Sequence, residues 1–114
     1  MSVKQLIEKC GAFKIINEGE LDRDIDTVYC CDLLSIVMGR APDGCAWVTV
    51  MGNVNAVAVS VLADMACVII AENAAVDSVA VSKAEAKNVT VLKTELPVFE
   101  AAMMIHRLKE ESGG

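Results

Sequence analysis

The sequence predicts a single three-layer α/β domain over residues 1–114, a mostly parallel β-sheet flanked by helices. Three observations predict it. Short apolar runs at 66–71 (Ala-Cys-Val-Ile-Ile-Ala) and 89–92 (Val-Thr-Val-Leu) read as strands buried on both faces, as central strands of parallel sheets are. Segments with other periodicities separate these runs, and consecutive parallel strands need crossovers of about a dozen residues, usually helices. The composition is 54% hydrophobic but only 4% aromatic, which calls for a layered core of Val, Ala, Ile, Leu and Met. A chain of 114 residues is the common size of one domain and has no room for a second core.

Each element has its own signal. Ser2 and Gln5 stand at capping-box spacing, and Val3, Leu6, Ile7 and Cys10 follow at helical intervals, so the chain opens with a short amphipathic helix closed by Gly11. Residues 12–16 read as a strand ending in the turn-like Asn17-Glu18-Gly19. The charged stretch 20–27 reads as loop. Residues 28–31 form a short strand or an extended lead-in to a helix, with Asp32 as N-cap, Leu33 to Met38 as the body and Gly39 as the stop. In Ala41-Pro42-Asp43-Gly44 the proline presets φ and the glycine supplies a left-handed residue, a turn before the strand at 45–50.

The segment 54–64 is ambiguous by pattern. Val57, Val59 and Val61 alternate as in a strand, yet Ala56, Ala58, Leu62 and Ala63 make the segment apolar all round. The crossover requirement between two parallel strands makes it a buried helix. After the strand at 66–71 comes a more polar helix over 76–87, with Val76, Val79, Ala80 and Ala84 on one face. The strand at 89–92 leads to a last helix over 96–111, with Pro97 in its first turn. Val98, Ala101, Ala102, Ile105 and Leu108 are its inner stripe, and 112–114 reads as a frayed tail.

Net charge of −6 and a pI of about 4.6 argue against nucleic acid and anionic membranes as partners, because phosphate backbones are held by clustered Lys and Arg. The N-terminus lacks a continuous apolar core of the signal-peptide type, and the longest apolar stretch, 54–63, is broken by Asn55 and Ser60 and is too short for a bilayer. These features lead us to expect a cytoplasmic protein, and in that compartment the five cysteines are expected as free thiols.

No Gly-rich phosphate loop of either common type is present. Gly52-Asn53-Val54-Asn55, however, sits where a strand meets a helix, where close backbone approach and free N–H groups favour an anion; a plain glycine turn with an asparagine cap is the commoner explanation. Ligands of parallel sheets bind beyond the carboxyl ends of the strands, so the other walls of such a site are expected from Asn17-Glu18, Glu72-Asn73 and Thr94-Glu95. Gly52, Asn53, Asn55, Glu72, Asn73 and Thr94 are the candidate ligand-binding residues. Cys10, Cys30, Cys31, Cys45 and Cys67 include no C-x-x-C and no paired metal knuckles, so no metal site and no cofactor are expected. The lone His106 has no second histidine to work with and reads as a surface residue. Asp22, Arg23, Asp24 and Asp26 read as a solvated loop, and Met38, Met51, Met103 and Met104 as gap-filling core or dimer surface. No catalytic constellation emerges, and the chain is not expected to be an enzyme.

Several segments together resemble a known family. Asp22-Arg23, the block Tyr29-Cys30-Cys31-Asp32-Leu33-Leu34-Ser35-Ile36-Val37-Met38-Gly39, the strand Ala46-Trp47-Val48-Thr49-Val50, then Asn55-Ala56-Val57-Ala58-Val59 and Ala66-Cys67-Val68-Ile69-Ile70-Ala71-Glu72 resemble the DRTGG-domain family over about residues 19–104. The Asp-Leu-Leu-Ser block is the most specific part. Asp26-Thr27-Val28 stand where relatives often carry Thr-Gly-Gly after Asp-Arg, so this chain departs from the namesake motif. The resemblance implies an α/β fold, pairing as homodimers, and a regulatory or structural role like that of related domains beside CBS domains in nucleotide-regulated pyrophosphatases. It also implies association with iron–sulfur hydrogenase or redox systems, where small stand-alone members occur. The expected function is a regulatory domain that homodimerises and binds a small anionic ligand such as an adenine nucleotide. The alternatives are a protein–protein assembly module, motivated by the apolar excess, and an accessory protein of an iron–sulfur hydrogenase or redox system using Cys30, Cys31 and Cys45.

Overall fold

Local signals set most element ends in the computed structural model, which describes residues 1–113. Helix α1 (Val3–Lys9) starts at a complete capping box, in which Ser2 Oγ accepts the Gln5 N–H at 3.1 Å and Gln5 Oε1 accepts the Ser2 N–H at 2.9 Å. The strands are β1 (Lys14–Asn17), β2 (Thr27–Cys30), β3 (Cys45–Thr49), β4 (Cys67–Ile70) and β5 (Val91–Lys93). Helix α2 (Leu34–Arg40) connects β2 to β3, and the ambiguous apolar segment is indeed a helix, α3 (Val54–Leu62). Helix α4 (Ser78–Lys87) begins where Asp77 Oδ1 accepts the Ala80 N–H at 2.7 Å and ends on left-handed Asn88. Helix α5 (Val98–Glu111) follows Pro97.

The start and stop of α2 differ from the sequence expectation. Asp32 does not cap it: Leu33 holds the N-cap position with no side-chain bond, and the helix runs through Gly39 to Arg40. The Asp32 carboxylate is drawn away by better partners, accepting the Thr49 hydroxyl at 2.6 Å and the Val50 N–H at 3.0 Å. A buried threonine hydroxyl with no acceptor costs more than an uncapped helix end that water reaches.

The sheet order is β1-β5-β4-β3-β2. β2 to β5 run parallel, whereas β1 pairs with β5 antiparallel, with Lys14 opposite Lys93 and Ile15 opposite Leu92. The four parallel strands lie side by side in chain order, so crossovers of one hand stack α2, α3 and α4 on a single face. Cys45, Trp47, Val68, Ile70 and Val91 point into that layer, against Val37, Val57, Ala80 and Ala84. The alternate residues Ala46, Val48, Cys67, Ile69 and Leu92 point into the opposite layer, where α1 and α5 contribute Val3, Leu6, Ala101 and Ile105. Two cores therefore share one sheet, and each fully buried Val, Leu or Ile contributes about 1.5–3 kcal/mol. Trp47 is fully buried, and its indole N–H donates to the Cys31 carbonyl at 2.9 Å.

Candidate functional site

After β4 the chain turns toward α4 on one face, and after β5 it turns toward α5 on the other. Neighbouring parallel strands whose connections part in this way leave an opening at their carboxyl ends. Two consecutive left-handed residues make the first turn: Glu72 has φ 61° and Asn73 has φ 53°. Such backbone is costly for glutamate, though asparagine tolerates it, and it persists only where its surroundings hold it. Here the Glu72 N–H donates to Leu96 O at 2.9 Å, and the Asn73 N–H donates to Thr94 O at 3.0 Å. The Glu72 carboxylate also accepts the Val98 N–H at 2.9 Å, at the start of α5.

Below this turn lies an open cavity of about 500 Å³, lined by Gly11, Ala12, Lys14, Asn73, Lys93, Thr94, Glu95, Leu96 and Pro97. Thr94 is 2% exposed and its oxygen accepts the Leu96 N–H at 3.2 Å. The cavity offers two lysine ammonium groups, an amide and a hydroxyl against one carboxylate, Glu95.

The candidate residues named from sequence divide between two places. Asn73 and Thr94 line the cavity, and Glu72 anchors its turn. Gly52, Asn53 and Asn55 lie at the β3–α3 junction and are not part of that lining. Asn53 Oδ1 caps α3 through the Ala56 N–H at 2.9 Å, and Asn55 is exposed on its first turn. Gly52 lies against the Ala75 carbonyl, where a Cβ would collide, and its own carbonyl accepts the Asp77 N–H at 2.9 Å. That glycine joins two loops.

The expected wall at Asn17-Glu18 lies at the opposite edge. Because β1 is antiparallel, its carboxyl end meets the amino ends of the parallel strands: Asn17 Nδ2 donates to Val89 O at 2.7 Å and Thr90 Oγ1 to Glu18 O at 2.8 Å. Lys14 takes the place that Asn17 was expected to hold. No local signal marks Lys14 or Lys93, since only the pairing of the first strand with the last brings them together.

The amino edge holds the charged cluster. Arg23 donates from Nη1 to Asp64 Oδ1 at 2.8 Å and from Nη2 to Asp64 O at 2.7 Å, holding the Asp64 carboxyl below its ordinary range. Asp22, Asp24 and Asp26 are exposed, as a solvated loop requires, while Ile25 between them is 2% exposed and anchors the loop to the core. A cavity of about 160 Å³ beside it is lined by Arg23, Ser60, Asp64, Lys87, Asn88 and Thr90 among others.

All five cysteines are free thiols. Burial pushes the Cys45 thiol up to about 11 and the Cys67 thiol to about 12, so both are neutral and inert at ordinary pH. Cys30 is exposed on β2. Among the described residues no group of three or more His, Cys, Asp or Glu side chains is placed to hold one metal ion. His106 is exposed, 3.8 Å from Glu110 Oε1. No helix among the described residues is long and apolar enough to cross a membrane.

Comparison with known proteins adds one finding. A family model described as the DRTGG domain matches residues 5–108, covering both edges of the sheet and all five strands. A search of curated proteins finds no match.

Proposed function

The chain belongs to the DRTGG-domain family, and from that membership we propose a non-catalytic regulatory domain that binds a small anionic ligand, such as an adenine nucleotide, at the carboxyl edge of its sheet. The observation that carries this reading is the left-handed Glu72-Asn73 turn, which holds the β4–α4 and β5–α5 loops together over a cavity containing Asn73 and Thr94. Strained backbone beside an opening at the carboxyl ends of parallel strands is where ligands of such sheets are found. Occupancy would reach α5 through Glu72, which gives a binding event a route to a partner surface. The test is thermal unfolding of the whole chain against mono-, di- and triphosphate nucleotides, dinucleotides and inorganic phosphate. A ligand at about one hundred times its dissociation constant adds roughly 2.7 kcal/mol, a shift of several degrees for a domain of this size. A shift confined to one ligand supports a sensor; no shift across the panel removes the ligand.

Self-association belongs to the same proposal and also favours a second reading, an assembly module without a ligand. Leu33, Ile36 and Met38 are 57%, 42% and 59% exposed on and beside α2, and Leu62 at the end of α3 is 73% exposed. β2 beside them is an edge strand with one side of its backbone unpaired. Mass measurement in solution decides it, since a strict monomer at micromolar concentration removes the pairing.

A further inference from the structure

Lys14 and Lys93 stand directly opposite each other in the β1–β5 ladder. Side chains at opposed positions have Cβ atoms about 4.5–5.5 Å apart, and like charges there are destabilising. The chain carries 16 acidic residues against 10 basic ones, yet among the described residues neither ammonium lies within ion-pair distance of a carboxylate. Both lysines line the carboxyl-edge cavity, together with the buried Thr94, whose hydroxyl oxygen accepts the Leu96 N–H. Two cations without a carboxylate partner and a hydroxyl around one opening are the complement of a compact, multiply charged oxyanion.

We infer that the Lys14–Lys93 pair is an anion clamp that takes a phosphate group, free or as the phosphoester end of a larger ligand, with Thr94 donating to one of its oxygens. The N-terminus of α5 is not the source of this affinity, because Glu72 already accepts its Val98 N–H. Glu95 is the one carboxylate in the lining, and it disfavours additional negative charge beyond the clamped group. The clamp rests on the ligand reading of the same cavity and specifies the chemistry it recognises. Bound phosphate would place a counter-charge between the two opposed lysines.

The experiment is a titration of the isotope-labelled whole chain with inorganic phosphate, read from backbone amide signals, and repeated with adenosine monophosphate. The variants are Lys14→Gln, Lys93→Gln and both together, with Lys83→Gln on α4 as a control that removes the same charge elsewhere. The expected result is a saturable shift of the Thr94 and Leu96 signals, weakened about tenfold or more by either clamp substitution and unchanged by Lys83→Gln. The clamp variants are also expected to melt higher than the wild type without anions, so lost binding is not lost folding. Phosphate shifts that avoid residues 94–96, or clamp variants that bind like the wild type, overturn the clamp. A nucleotide shift surviving in the double variant also overturns it while leaving the proposed function standing. Phosphate bound through the lysines with no nucleotide response upholds the clamp and removes the nucleotide. Absence of any anion response removes both.

Discussion

The Glu72 carboxylate caps the backbone N–H of Val98 at 2.9 Å, so the loop that leaves the sheet toward one helical layer closes the first turn of the helix in the other. Glu72 holds a left-handed backbone to do so. Removing the carboxylate with Glu72→Ala is expected to cost about 0.5–2 kcal/mol, the range of helix N-cap losses. Asn73→Gly is expected to change stability by less than about 0.5 kcal/mol, because asparagine already tolerates this conformation and its side chain anchors no other element of the fold. Urea unfolding midpoints of the two variants check the contrast.

Asp32 acts on β3 rather than on its own helix. Thr49 is fully buried and gives its proton to Asp32, so Asp32→Ala is expected to destabilise by about 1–3 kcal/mol. Asp32→Ser separates the two roles: serine is a good helix cap but does not reach Thr49 and Val50. Equal losses for Ala and Ser in urea unfolding are expected, whereas full rescue by Ser would restore the cap role.

Two glycines should respond oppositely to alanine. Gly39 lies within α2 with nothing near its missing Cβ, and Gly39→Ala is expected to gain about 0.5–1 kcal/mol. Gly52→Ala drives a methyl group into the Ala75 carbonyl and is expected to lose more than that gain. Thermal midpoints of the two variants give the sign directly.

The alternation of elements was legible because buried parallel strands carry unbroken apolar runs, and the crossover argument assigned α3 where its own pattern did not. What escaped were relationships across the sheet. Asp32 has the local look of a cap, but its partner lies 17 residues away on a strand whose burial sets the stakes. A strand's side-chain pattern reads the same in either direction, so nothing in residues 12–16 told that β1 runs antiparallel and carries Asn17 away from the expected site. Of the candidate residues, Asn73 and Thr94 were found from a rule about strand ends, whereas Lys14 and Lys93 needed the pairing itself.

Alkaline pH should weaken the fold through its buried thiols. Both thiols have an ordinary value of 9.0, and burial raises Cys45 to about 11 and Cys67 to about 12 in the folded chain. A raised folded value means the native state keeps its proton longer. The contribution is therefore complete below pH 9 and is lost as pH rises through 11 to 12. Denaturant stability is expected to fall over that window, and less steeply in Cys67→Ala. In the folded protein a thiol reagent is expected to modify Cys30 while sparing Cys45 and Cys67.

The pairing of β1 with β5 also orders events in time. Asn17 reaches its acceptor, the Val89 carbonyl, across 72 residues of chain. On the ribosome β1 has no partner until β5 has emerged, whereas β2, β3 and β4 meet successive neighbours as they appear. β1 is thus secured after the parallel strands that follow it in the chain, and the Lys14–Lys93 cavity comes into being only once β5 has been made.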